Sequence, residues 1–424
     1  MAAVCVCLSL CNAAWAREKT HPSTEPPPVT VPATTDHNRV VIDVGISLKD
    51  GTTASVHAWV DNGDPDLWMS KRVAELMGLS VSCDGQTCAG HTNPQLPGLE
   101  ILIAGMKVSL PSSNPIRIPL NSGIAAGVIA PGMNVELNIP STVLRQYDVL
   151  IDFPEHRFTI GVPGSIHFQG EPSKVVINAE NGLIQVPSRI DDKKYNLALD
   201  AGSCISFLSP ELFDKFAAAH PDWPHMTGAV GSANMWGGEE ETKWKVMRVD
   251  RVQYGPAFLT DVTFVELSKE TADFFAKRAG IATTGLLGAS ALQNFRVGLD
   301  YAHSMVYFEI GRTSTFPDFD VVGLILRPEN SGGFTILGVA DIDGKPSVPV
   351  GPDGVQRGDS LIAVNDISVS TSTMGQVWAM LGGMPGQERR LTIRRGDKEF
   401  VVTAEVQHFL GEVPEETQSK KKRK

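Results

Sequence analysis

NLALDAGSCISFLSPELFDKF, Asn196 to Phe216, puts an acidic residue at the end of an apolar strand. Leu197 to Leu199 lead into Asp200, the chain turns on Gly202, and a helix pattern starts after Pro210. A carboxylate in such a place is costly unless it is paired, hydrogen-bonded or used in chemistry. The chain does this twice. ASVHAWVDNGDPDLWMSKRVAELMGL, Ala54 to Leu79, again shows an apolar strand, Asp61, a small residue, Gly63, an apolar return with a serine, and a helix pattern. A second pair follows, Tyr147–Gly161 and Phe295–Gly311, each reading as two strands joined by a turn. Before each closing pair comes a glycine and two apolar residues, Gly127-Val128-Ile129-Ala130 and Gly285-Leu286-Leu287-Gly288. Residues from about 38 to 313 therefore read as a duplicated β lobe.

The remaining composition sets the surroundings. The 424 residues are 42% hydrophobic and 20% charged, enough for two or three domains. A net charge of −11 offers no basic face for nucleic acid. Residues 1–16, ending in Ala14-Trp15-Ala16, read as a signal peptide, too short to span a bilayer. No transmembrane helix is expected in the mature chain, which is expected to be secreted or periplasmic in a bacterium. Leu8-Ser9-Leu10-Cys11 fits lipoprotein anchoring less well than simple secretion, because Leu10 is a poor residue before the cysteine. Residues 17–36, rich in Pro and Thr, read as an extended linker, and residues 411–424 as a disordered basic tail. Cys83 and Cys88 are spaced to close a small hairpin by a disulfide in an exported protein, and Cys204 is left over as a buried apolar residue. None of the ten histidines falls in a metal-binding motif, so no metal is expected.

The duplicated lobes, 37–165 and 166–313, resemble a retropepsin-like or pepsin-like aspartic protease. In that family each lobe presents Asp-Thr/Ser-Gly after a strand, supported by an apolar-apolar-Gly segment. Asp61-Asn62-Gly63 and Asp200-Ala201-Gly202 stand at those places, and Leu286-Leu287-Gly288 matches the supporting segment of the second lobe. Val128-Ile129-Ala130 matches that of the first imperfectly. The resemblance implies that Asp61 and Asp200 form a catalytic pair that shares a proton, activates water and cleaves peptide bonds without metal, cofactor or covalent intermediate. Where the family has Thr or Ser to lock the two loops together, this chain has Asn62 and Ala201, and Ala201 has no polar side-chain group. Two readings therefore stand: a hydrolase, or a protein that kept the cleft for binding peptides and lost the chemistry.

Residues 314–410 resemble a bacterial PDZ domain, through Arg357-Gly358-Asp359 and Ile362-Ala363-Val364-Asn365. That resemblance implies an α+β fold and peptide recognition along Gly323, Leu324, Ile325 and Leu326, or alternatively a structural cap whose groove is occupied. Asn330-Ser331-Gly332-Gly333 mimics a serine-protease nucleophile loop, but no His and Asp partners accompany it, and it reads as a turn. Val230–Trp244 carries glycines on both sides of Trp236 and reads as a hairpin, either a mobile flap over the cleft or an ordinary surface turn. Asp152 and Asp300, in the closing hairpins, are expected to bond local backbone. Asp64 and Asp66 either raise the proton affinity of Asp61 or point into solvent. The expected partners are peptide or protein substrates. The expected architecture is mostly β, two acid-protease-like barrel lobes followed by an α+β domain.

Overall fold

A computed structural model describes residues 26–48, 50–83, 88–91, 98–111, 116–118, 133–280, 283–311, 318–329, 331–342 and 344–411. The signal-peptide residues and the tail from 412 onward lie outside the described residues. The fold is mostly β, with two related lobes joined by a shared sheet and an α+β unit after them.

The shared sheet runs in the order Val29–Pro32, Arg157–Gly161, Asp148–Asp152, Phe295–Asp300, Met305–Ile310, Glu171–Lys174. Its centre is an antiparallel pair, one strand from each lobe, with Leu150 opposite Gly298 and Asp148 opposite Asp300. The two closing hairpins of the sequence repeat thus meet about a local twofold axis. Asp152 and Asp300 do local work there: their Oδ1 atoms accept from Glu155 N at 3.1 Å and His303 N at 3.0 Å.

Residues 29–36 are not a linker. Val29–Pro32 pairs with Arg157–Gly161 at the sheet edge, and Thr34–Asp36 pairs with Arg39–Val41. Proline is tolerated there because an edge strand has one row of amides with no partner to bond. The alternation of Val29 and Val31, both packed on the core, holds the strand in place.

In lobe one, Thr53–Asp61 lies between Arg39–Ser47 and Val135–Pro140. In lobe two, Lys193–Asp200 lies between Ile184–Ile190 and Gly285–Gly288. The helix expected after Pro210 spans Pro210–Ala219, with Ser209 Oγ accepting from Leu212 N at 3.3 Å and Pro210 in the first turn. It buries Leu212, Phe213 and Phe216.

The final unit is a five-stranded sheet, in the order Leu324–Pro328, Phe334–Val339, Ser360–Val364, Glu388–Arg395, Lys398–Glu405, with the helix Met374–Leu381. Thr373 and Gln376 form a capping box at the start of that helix. Asp359, buried, is held by Arg395 at 2.7 Å. Gly332 and Gly333 adopt φ of +91° and +84°, so the glycines of the serine-protease-like stretch serve a turn. This unit does not hang on a tether. One apolar cluster runs from Ile205, Phe207, Val230 and Met235 of lobe two into Phe319, Leu324 and Ile325. Among the described residues, no helix is long and apolar enough to cross a membrane.

Candidate active site

Asp61 and Asp200 end equivalent strands and face each other across the lobes. Gly63 and Gly202 show how closely. A Cβ on Gly63 would fall inside the Asp200 carboxylate, and one on Gly202 inside that of Asp61. Neither glycine has positive φ, so their requirement is space rather than backbone freedom.

Each carboxylate is bound by its own loop in the same way. Asp61 Oδ1 accepts from Gly63 N at 3.2 Å and Asp64 N at 3.1 Å. Asp200 Oδ1 accepts from Gly202 N and Ser203 N, both at 2.9 Å. The two Oδ2 atoms are left for other partners. Asp61 is 4% exposed and Asp200 9%, so both are largely desolvated.

The two loops are locked by a single side chain. Asn62 Nδ2 donates to Leu199 O at 2.7 Å, and Asn62 Oδ1 accepts from Ala201 N at 2.7 Å. Asn62 is fully buried and makes both bonds across the lobes, so Ala201 needs no polar group of its own.

Burial pushes both carboxyls up. Asp61 is held well above the ordinary carboxylate range by desolvation and then by the charge of Asp200. Asp200 rises to about 6 through desolvation, against its two backbone donors. Arg39, fully buried, also favours the Asp200 anion. Its Nη2 donates to Met235 O at 3.1 Å, and its guanidinium lies 5.7 Å from the Trp59 ring centre.

Asp64 and Asp66 are not loose charges. Both pair with Arg278 of the helix Lys269–Ala279, at 2.5 Å and 3.0 Å, which ties the Asp61 loop to lobe two. Asp64 still adds to the upward push on Asp61.

The supporting strand of lobe two is Gly285–Gly288, as the sequence suggests. It runs parallel to the Asp200 strand, with Leu287 beside Leu199 and Gly288 beside Asp200. A Cβ on Gly285 or Gly288 would strike the backbone of Phe207 or Ile205. In lobe one the equivalent place belongs to Val135–Pro140, where Ile139 sits beside Val60 and Pro140 beside Asp61. Residues 127–130, expected there, lie outside the described residues. Asn138 of this strand, fully buried, accepts from Trp68 N and donates to Asp66 O, both at 2.9 Å, and so shapes the return of the Asp61 loop.

Trp236 does not stand on a flap hairpin. Its segment forms two short 3-10 turns, Gly231–Ala233 and Glu239–Lys243. The Trp236 ring stacks on Phe207 at 5.9 Å and meets Trp244 edge-on at 5.5 Å. This aromatic packing outcompetes a free hairpin.

Cys83 and Cys88 form a disulfide that closes the hairpin of Ser80–Cys83 and Cys88–His91, while Cys204 is a buried free thiol. Closing so short a loop is worth about 2 kcal/mol by chain entropy. Reduction, or Cys83→Ser with Cys88→Ser, is expected to lower stability by about that amount in denaturant titration, and the oxidised chain to lack two thiol protons by mass.

No family model matches this chain, and no curated protein matches it. Among solved structures, an aspartic proteinase from Irpex lacteus is similar, at 14% identity and a TM-score of 0.38, over 69% of this chain and 99% of that one.

Proposed function

We propose that the chain is an aspartic-type endopeptidase, hydrolysing peptide bonds with a water activated between Asp61 and Asp200. The observation that carries this reading is the locked carboxylate pair: each loop's glycine opens onto the other loop's acid, and Asn62 holds the loops at that approach. Two such acids cannot both ionise easily, so one proton is shared. Arg39 favours the charge on Asp200, so the shared proton sits mainly on Asp61.

The ionised Asp200 takes a proton from water as its oxygen attacks the scissile carbonyl carbon, while Asp61 donates its proton to the carbonyl oxygen. Asp200 then gives the proton it took from water to the amide nitrogen, the C–N bond breaks, and Asp61 takes a proton from one hydroxyl of the diol, which leaves as the carboxylic acid, so the pair recovers its single proton on Asp61. The chemistry needs only groups the chain supplies. The alternative, a cleft that binds peptides without cutting them, would suit loops that had lost their lock, and Asn62 supplies that lock.

Residues 314–410 are proposed as a PDZ domain, a reading supported by the order of the five strands and by the end of the one helix, where Leu381 O accepts from Val322 N at 3.0 Å just before the outermost strand. Export to an oxidising compartment is proposed on the Cys83–Cys88 bond.

Incubating the full chain with a peptide library from pH 3 to pH 8 tests the reading. Cleavage is expected, with its acid limb near pH 6, where Asp200 ionises to become the base, and its alkaline limb above that, where Asp61 loses the shared proton. An intact library at every pH, from folded protein, would overturn it in favour of peptide binding.

A further inference from the structure

Leu324–Pro328 is the outermost strand of its sheet, and the edge away from Phe334–Val339 has no strand beside it among the described residues. That edge is nonetheless occupied. Leu326 N donates to Asn234 Oδ1 at 2.9 Å, and Leu326 O accepts from Asn234 Nδ2 at 2.9 Å. One carboxamide from lobe two thus reproduces the donor and acceptor pair that an added strand would bring. Asn234 is fully buried, and Glu241 Oε2 accepts from its Nδ2 as well.

The helix Met374–Leu381 ends beside the start of this strand, where Leu381 O accepts from Val322 N at 3.0 Å, and the N-terminal strands reach its beginning. Thr373 Oγ1 bonds Asp36, and a Cβ on Gly375 would stand 2.6 Å from His37 N. His37 Nε2 bonds Asn234 O at 2.9 Å. Two segments of the lobes therefore meet between strand edge and helix.

The next residue points the other way. Met235 is buried, its Sδ lies 3.7 Å from Ser203 Oγ, and its carbonyl accepts from Arg39. Ser203 N is one of the two donors that hold Asp200, and Arg39 favours the Asp200 anion. Neighbouring residues thus fasten the strand edge on one side and the Asp200 loop on the other.

We propose that the edge of Leu324–Pro328 is latched in cis by Asn234. An extended peptide added at that edge displaces Asn234 and, by withdrawing Met235 from Ser203 and Arg39, alters the setting of Asp200. Leu324, Ile325 and Leu326 of the strand and Val377 and Leu381 of the helix are apolar and buried in one cluster, so the occupant is a peptide with apolar side chains at alternate positions. Withdrawing Asn234 without a replacement strands buried backbone groups, whereas exchange for a peptide keeps the hydrogen-bond count, so the two states are alternatives of the kind a ligand can select. The effect on Asp200 rests on the hydrolytic reading; the latch does not.

Amide hydrogen exchange on the full chain tests this, with a random nonapeptide pool as the probe. In the native chain the pool is expected to protect 324–328 and to speed exchange across 228–244 at the same concentrations. Asn234→Ala is expected to speed exchange at the Leu326 amide at least tenfold and to lower the half-saturating pool concentration at least tenfold. The six-stranded sheet should keep its protection, which shows the variant folded. The proposal is overturned if the pool leaves 324–328 unprotected, if it protects them with 228–244 unchanged, or if folded Asn234→Ala exchanges Leu326 at the native rate. Reciprocal exchange in a protein that cleaves nothing would retain the latch and reject the hydrolytic reading.

Discussion

Asp200→Asn is expected to abolish peptide hydrolysis and yet to make the folded chain more stable at pH 8. The loss of rate follows from removing the base: positioned proton transfer accounts for about 10²–10⁴-fold in such reactions. The gain in stability follows from linkage. In the folded chain Asp200 keeps its proton up to about 6, against 3.8 when unfolded. Its folded pKa is raised, so its contribution is fully present below about pH 3.8 and is lost as pH rises through 6. The displacement corresponds to about 3 kcal/mol at pH 8. Asparagine has the same shape and no charge to desolvate, and its Oδ1 can still accept from Gly202 N and Ser203 N. Denaturant titration should therefore show variant and native chains alike near pH 3.5 and the variant ahead by up to about 3 kcal/mol at pH 8. A variant that still cleaves, or whose advantage is the same at both pH values, would contradict the account.

The second large effect belongs to Asn62, which touches no substrate. Asn62→Ala removes both bonds across the lobes and leaves Leu199 O and Ala201 N buried without partners. Each orphaned group costs about 1–3 kcal/mol, so a loss of about 2–5 kcal/mol is expected. The acids would remain but at a looser approach, and slack of this size costs about 10²-fold in rate. The fall should appear in kcat far more than in KM, because the lock sets the acids and not the peptide subsites. Asn62→Thr, whose hydroxyl can donate to Leu199 O and accept from Ala201 N, should recover part of both losses. Equal damage from Ala and Thr would show that Asn62 acts by packing alone.

The acids themselves were legible because they recur. Asp61 and Asp200 each follow an apolar strand and precede a glycine two residues on, and the closing hairpins repeat as well, so duplication gave each motif an internal control. Leu286-Leu287-Gly288 was readable for the same reason. Its counterpart in lobe one was missed because Asn138-Ile139-Pro140 carries a polar residue and a proline where the pattern calls for apolar residue and glycine. Parallel pairing leaves no turn signal to betray it. Residues 29–36 misled through their prolines, which signal a linker in composition but fit an edge strand in position. Trp236 misled through its flanking glycines, since the partners that capture it, Phe207 and Trp244, include one almost thirty residues away. Arg39 and Asn234 gave no signal at all. A polar residue whose partners lie in another lobe looks, in sequence, like any solvated one.

The central pair of the shared sheet bears on why the two acid loops need not be alike. Each lobe presents the same kind of edge at the axis, and the edges pair antiparallel, so a lobe of this kind is complementary to a copy of itself. Were the molecule two identical chains, whatever followed one acid would have to follow the other. By the twofold, asparagine in both places would aim a second carboxamide at Val60 O and Asn62 N, beside the one that holds Leu199 O and Ala201 N, and alanine in both would leave no lock. Fusion into one chain removes that obligation. In the single chain Asn62 makes both bonds between the two acid loops from one side of the axis, and the position across from it needs no polar side chain and is alanine.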